Sequence, residues 1–139
     1  MTRSDVEQCR SLLTQLGYEM AEAELERRFS EVSAAPEHSV LVAETAGRVV
    51  GLMHIFARPA IENPREAVIQ AIVVDEASRR DGIGRQLMSA AERWGSECGC
   101  RSVVLSSNNV RAPAHAFYAA LGYRISATSL VLRKQLLPG

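Results

Sequence analysis

Lysine is almost missing from this 139-residue chain: of its 16 basic residues only Lys134 is a lysine. No glycine-rich stretch therefore ends in Gly-Lys-Ser/Thr, and a phosphate loop of the P-loop kind is excluded. Aromatics make up 5% of the chain. Without lysine-rich runs interleaved with aromatic rings, the sequence lacks the look of a nucleic-acid surface. Cysteines number three, Cys9, Cys98 and Cys100. An odd count with two members two positions apart is not a disulfide framework. Cys98-Gly99-Cys100 also lacks both the CxxC spacing and the second ligand pair of a zinc site, so no metal is expected. Long apolar runs are missing too. The greasiest stretch, Ala67–Val74, is interrupted by Gln70 and is far short of the ~18 residues of a membrane span. The first residues contain no apolar segment of the signal-peptide kind, so the expected location is cytoplasmic.

What remains has the composition of an ordinary globular domain, 47% hydrophobic and 23% charged. A chain of this length buries enough surface to fold without disulfides or metal. The formal charge is zero but unevenly spread. Residues 1–75 hold 7 Arg against 12 Asp and Glu, and residues 76–139 hold 9 basic against 4 acidic residues. Such a division suits an anionic ligand on one side and a cationic one on the other, unless folding mixes the halves.

Ser4-x-x-Glu7 reads as a capping box opening a helix with Val6, Leu12, Leu13 and Leu16 on one face, closed by Gly17. A second helix is expected over Met20–Val32, with Leu25, Phe29 and Val32 on one side and glutamates on the other. Ser39–Glu44 and Arg48–Ala57 read as a hairpin about Thr45-Ala46-Gly47. Ala67–Val74 is a near-continuous β-branched run, the mark of a strand buried on both faces. A third helix with Ile83, Leu87, Met88, Ala91 and Trp94 leads to a strand at Ser102–Ser106, a β–α–β unit with a right-handed crossover. Pro113 begins a fourth helix closed by Gly122, and Tyr123–Leu136 is expected to supply a last strand or two. The order predicts one mixed-sheet α/β domain over 1–139.

The stretch from Val73 to Arg85 carries the chemistry. A buried strand ends, Gly82 and Gly84 follow, and a helix begins. Unpaired N–H groups and partial positive charge at a helix start make an anion site, and Arg79, Arg80 and Arg85 add countercharge. A dinucleotide turn would need a third glycine where Leu87 stands.

Arg79-x-x-Gly82-x-Gly84 resembles the pyrophosphate signature of the GNAT acetyltransferase superfamily. About thirty residues later, Ala114-His115-Ala116-Phe117-Tyr118 through Leu121-Gly122-Tyr123 looks like that family's second signature. The resemblance implies a single-domain GNAT-like fold: a mixed, mostly antiparallel sheet flanked by helices and splayed between the strands at 67–74 and 102–106. It implies an acetyl-CoA-dependent N-acetyltransferase acting on a primary amine of a small molecule or peptide, by direct attack in a ternary complex. By resemblance, the backbones of Ile72, Val73 and Val74 pair with the pantetheine arm, Val73 N–H supports the thioester oxygen, and the N–H groups of Arg80, Asp81, Gly82, Ile83, Gly84 and Arg85 hold the pyrophosphate. Asn108 and Asn109 touch the pantetheine amides, and Tyr118 lies by the cofactor sulfur and protonates it.

The chain departs from the family pattern at three places. Arg111 replaces the commoner Asn seven residues before Tyr118. Gln70 stands where many relatives carry a glutamate base, and no clear strand precedes the first helix. Candidate bases are then Glu22, Glu24, Glu66 and His54, the last also readable as a packed histidine. Likewise, Tyr118 is readable as core, and the domain as a catalytically weak acetyl-CoA sensor or assembly module. The missing strand leaves a sheet edge that a homodimer would cover.

Overall fold

A computed structural model describes residues 3–107 and 112–138. The chain divides into two compact units, 1–106 and 107–139.

The first unit contains α1 (Arg3–Leu16), α2 (Glu22–Ala34), β1 (His38–Thr45), β2 (Arg48–Arg58), β3 (Glu66–Val74), a 3-10 turn (Glu76–Ser78), α3 (Ile83–Glu97) and β4 (Ser102–Leu105). The sheet order is β1-β2-β3-β4. The first three strands pair antiparallel and β4 joins β3 in parallel, giving the mixed, mostly antiparallel sheet that the pattern predicts.

The hairpin turn explains itself. Ala46 and Gly47 have φ of 52° and 79°, the left-handed pair that a two-residue turn needs to match strand twist. Helix α1 buries Cys9 and Leu12 against Val49, Leu52 and Val73, with Leu13, Leu25 and Val40 packed around them. The opposite sheet face carries α3, whose Ile83, Leu87, Met88 and Ala91 are buried. That helix comes very close to the sheet at Gly51, where a Cβ would sit 3.0 Å from both Ile83 Cγ2 and Leu87 Cδ1. A side chain at position 51 would force Ile83 and Leu87, in the first turns of α3, to give by a few tenths of an ångström.

Two bulges interrupt the ladder. Ala43 pairs with Gly51 and Glu44 with Val49, so Val50 is the extra residue on β2. On β3, His54 faces Ala71 and Ile55 faces Ile69, so Gln70 is extra and exposed. Because strand side chains alternate, a single inserted residue exchanges the faces beyond it. Ala67 and Ile69 point to the α3 side of β3, while Val73 points to the α1 side.

The second unit holds α4 (Ala112–Ala120), closed at Gly122 with φ 93°. The strands expected over Tyr123–Leu136 do not form: residues 124–138 have neither helix nor strand. Ile125, Leu130, Val131, Leu132, Leu136 and Leu137 are 76–89% exposed. An apolar, strand-like sequence becomes a strand only where it joins a ladder, and residues 124–138 are paired in none.

Candidate functional site

Strand β3 is bordered differently along its length. Its first four residues, Glu66–Ile69, pair with Ser102–Leu105 on one edge and with β2 on the other. Beyond Leu105 the parallel partner ends while β3 continues to Val74. Among the described residues, none pairs with the second half of β3 on that edge.

The hydrogen-bond direction in the open half follows from one contact. Asp75 N–H donates to the Val50 carbonyl at 2.7 Å. Alternation then turns the Val73 N–H and C=O towards Leu52, its partner on β2, and those of Ile72 and Val74 to the edge that β4 leaves bare. The N–H groups facing that edge are thus those of Ile72 and Val74. Val73 N–H, expected to face the thioester oxygen, is turned to the β2 ladder instead.

From Val74 the chain passes through Asp75 and the 3-10 turn to Gly82, whose φ of 78° reverses it into α3. A Cβ on Gly82 would meet nothing within 4 Å, so the space above the turn is open. No side chain caps α3 and its first turn has no acidic residue. Asp81 N–H donates to the Ser78 carbonyl at 3.1 Å. Arg79 turns its Nε back to the Val74 carbonyl at 3.3 Å, bracing the loop. Arg80, Arg79 and Arg85 are exposed around it. An uncapped helix start, an open approach and three guanidinium groups fit a pyrophosphate. Ile83 contributes only backbone here, since its side chain is buried.

Sequence reasoning missed the anchor of this loop. The Gln15 side chain on α1 donates to Asp75 Oδ1 at 2.8 Å and accepts from Glu76 N–H at 2.9 Å. Arg48 holds the other carboxylate oxygen at 3.1 Å. One amide thus ties helix α1 to the residues where β3 becomes the glycine loop. Beside it lies a depression of about 240 Å³ lined by Gln8, Ser11, Leu12, Arg48, Val49 and Asp75. It is smaller than the several hundred Å³ typical of ligand sites.

The candidate bases differ. Glu24 is bound by Arg27 and Arg28, and the Arg27 hydrogen bond, followed by that of Arg28, holds its carboxyl below the usual range. Glu66 engages Arg58 and Ser102 at the start of β3, in the fully paired half. Glu22 opens α2. His54 lies half-buried on β2 opposite Ala71, next to the bulge. Burial, then the nearby His38, lowers its pKa from 6.5, so its imidazole is neutral and able to accept a proton at pH 7.

Within the second unit, Tyr118 is half-buried, edge-on to Phe117 with centroids 5.1 Å apart, and to Tyr123 at 6.2 Å. Burial raises its phenol pKa, keeping the hydroxyl protonated at neutral pH. Asn108, Asn109 and Arg111 lie outside the described residues.

Fold and loop together make a mixed-sheet α/β domain with an anion-accepting turn at the end of its third strand. The sequence pattern of the acetyltransferase (GNAT) family matches residues 6–123, and the chain belongs to that family. It is an N-acetyltransferase with acetyl-CoA as cosubstrate. It is 31% identical over 111 residues to a glucosamine 6-phosphate N-acetyltransferase of Trypanosoma brucei brucei, covering 78% of this chain and 70% of that one. With an aminoglycoside N(6')-acetyltransferase type 1 of Salmonella typhimurium it shares 23% over 110 residues, 76% of this chain and 75% of the other. The structure of AAC(6')-Iy with the bisubstrate analog CoA-S-monomethyl-acetylneamine has the same fold, with a TM-score of 0.83 at 21% identity over 98% and 95% of the two chains. Among the described residues no helix is long and apolar enough to cross a membrane, and no cluster of His, Cys, Asp and Glu would hold a metal ion.

Proposed function

We propose that residues 1–139 form one domain that moves the acetyl group of acetyl-CoA to a primary amine of a small molecule or peptide, by direct attack in a ternary complex. The observation that carries this reading is the bare edge of β3 running into the uncapped start of α3. Pantetheine pairs along that edge like an added strand, using the backbone of Ile72 and Val74, with Ile72 N–H opposite the thioester oxygen. The pyrophosphate sits on the N–H groups of Gly82, Ile83, Gly84 and Arg85, countered by Arg79, Arg80 and Arg85. Asn108 and Asn109, which lie outside the described residues, are assigned to the pantetheine amides by the family resemblance alone.

An alkylamine with a pKa near ~10.4 is almost wholly protonated at pH 7, so the attack requires a proton acceptor. Collapse of the tetrahedral intermediate then expels a thiolate, which Tyr118 protonates. The acceptor is a cationic amine, drawn by the excess of acidic residues over 1–75 and weakened by salt. Of the two relatives above, the aminoglycoside N(6')-acetyltransferase is named for an acceptor that agrees with that charge, whereas the other is named for glucosamine 6-phosphate, whose amine is accompanied by an anionic phosphate.

A screen with labelled acetyl-CoA against aminoglycosides, amino sugars, polyamines, amino acids and lysine peptides tests the reading. Only neutral or anionic acceptors would end the cationic-amine proposal, and no acceptor at all would favour an acetyl-CoA sensor. Tyr118→Phe is expected to lower kcat by about 10- to 1000-fold with acetyl-CoA affinity unchanged, the pattern of an interaction made in the transition state. Full activity would return Tyr118 to a packing role.

A homodimer is part of this proposal. The outer edge of β1 is unpaired in the sheet, and the exposed apolar side chains of 125–137 require cover. Light scattering should show about twice the 15.2 kDa of one chain, and a clean monomer at micromolar concentration would contradict it.

A further inference from the structure

Two histidines meet on the α1 face of the sheet. His38 Nδ1 lies 2.9 Å from His54 Nε2, and the His38 ring stacks on Phe56 with centroids 4.9 Å apart and planes 13° from parallel. Strand alternation places Leu52, His54 and Phe56 on one face of β2, the face that α1 covers at Leu52. His54 stands across from Ala71, immediately after the bulged Gln70. Its backbone is therefore one strand spacing, roughly 5 Å, from β3, and a ligand paired along the far edge of β3, where Ile72 N–H emerges, lies one spacing further.

We propose that His54 takes the proton of the acceptor amine, directly or through one water, and that His38 carries it on to solvent. This rests on the transferase reading given above. The 2.9 Å contact needs one N–H between two imidazoles. In the tautomer that serves catalysis, His54 Nε2–H donates to His38 Nδ1 and leaves His54 Nδ1 with a free electron pair. An N–H bond of the ammonium breaks, its proton goes to His54 Nδ1, and the pair left on nitrogen attacks the thioester carbonyl. His54 then passes its Nε2 proton to His38 Nδ1, and His38 releases a proton from its own Nε2 to water. Each ring ends as the other tautomer and is restored by exchange with water. His38 is a positioning and relay residue, while His54 touches the amine or its bridging water.

The surroundings suit this. On β1, His38 is the titratable group whose charge acts on His54. On β3, the residues opposite His54 and Phe56 are Ala71 and Val68, and the bulge offers an amide. From α1 and α2, this face receives Cys9, Leu12, Leu13 and Leu25, while Glu24 is held by its two arginines. Among the described residues no carboxylate acts on His54 to raise its pKa, and burial lowers it. A neutral base poised below 6.5 is unprotonated across the physiological range.

The test is the pH profile of kcat/KM in wild type, His54→Gln and His38→Phe, with acetyl-CoA affinity measured alongside. Wild type should show an acid limb below pH 6.5. His54→Gln should lose that limb and lower kcat by about 100- to 10,000-fold at unchanged acetyl-CoA affinity. His38→Phe keeps a ring on Phe56 but removes the like charge, so the limb should move up in pH with a smaller loss of kcat. An unchanged profile and full kcat in His54→Gln would overturn the proposal, and so would a loss confined to acetyl-CoA affinity. Should either variant fail to fold, the imidazole signals of wild type in the acetyl-CoA complex decide. Two coupled steps support the relay, and two independent ones overturn it. A wild-type protein that binds acetyl-CoA but acetylates no amine would overturn the transferase reading itself, and this inference with it.

Discussion

The two halves of β3 obey different rules although they belong to one strand. Glu66–Ile69 is bonded on both edges, and Ala67 and Ile69 are buried towards α3. Ile72–Val74 is bonded on one edge, and Ile72 and Val74 are half-buried. Gln70, the extra residue, separates them and exchanges their faces. A strand fixed on both sides holds the sheet together, and a strand with one bare edge still has backbone donors and acceptors to offer a ligand. Stability and binding are thus assigned to adjacent segments of the same strand.

The sharpest way to break that comparison is to shorten equivalent side chains on either side of the bulge. Ile69→Ala should cost about 2–5 kcal/mol in denaturant unfolding, because Ile69 is enclosed and its loss leaves a cavity. Ile72→Ala, at a half-buried position, should cost clearly less. Equal losses would show that the open half is as structural as the closed one. Next in size is the loop that extends the open half. At a hundredfold excess over its dissociation constant, acetyl-CoA should stabilise the wild type by about 2.7 kcal/mol. Gly82→Val places a β-branched residue at φ 78°, and Gly84→Val crowds the helix start, so either should abolish that gain. A retained thermal shift in both variants would detach the loop from cofactor binding. Gly51→Ala probes the same loop from behind. Overpacking against Ile83 and Leu87 should cost about 1–3 kcal/mol and also weaken acetyl-CoA, whereas a stability loss alone would show that the helix start does not move.

Much of this was legible in the residues. The β-branched run announced β3, and Ala46-Gly47 announced the hairpin. What periodicity could not show is register. Nothing in Val68-Ile69-Gln70-Ala71 says that Gln70 is inserted, because a bulge is a property of the pair of strands rather than of one. The same holds for His38 and His54, which meet only because the hairpin register brings them together. Gln15 and Asp75 are 60 residues apart in sequence, beyond any local pattern. Tyr123–Leu136 shows the opposite failure: its apolar residues read as strand, but residues 124–138 join no ladder, and apolar content alone does not make a strand.

The deep burial of Cys9 gives the protein a built-in clock. Its thiol lies between α1 and the sheet, 2% exposed, and burial, with Asp5 adding to it, pushes its pKa up to about 11. A thiol so enclosed reacts with an alkylating reagent only when the helix lifts, whereas Cys98 and Cys100 are partly open. The slow labelling of one cysteine therefore measures how often α1 leaves the sheet. Since Gln15 on that helix pins the entry to the glycine loop, acetyl-CoA should slow the clock by however much it needs the loop held in place.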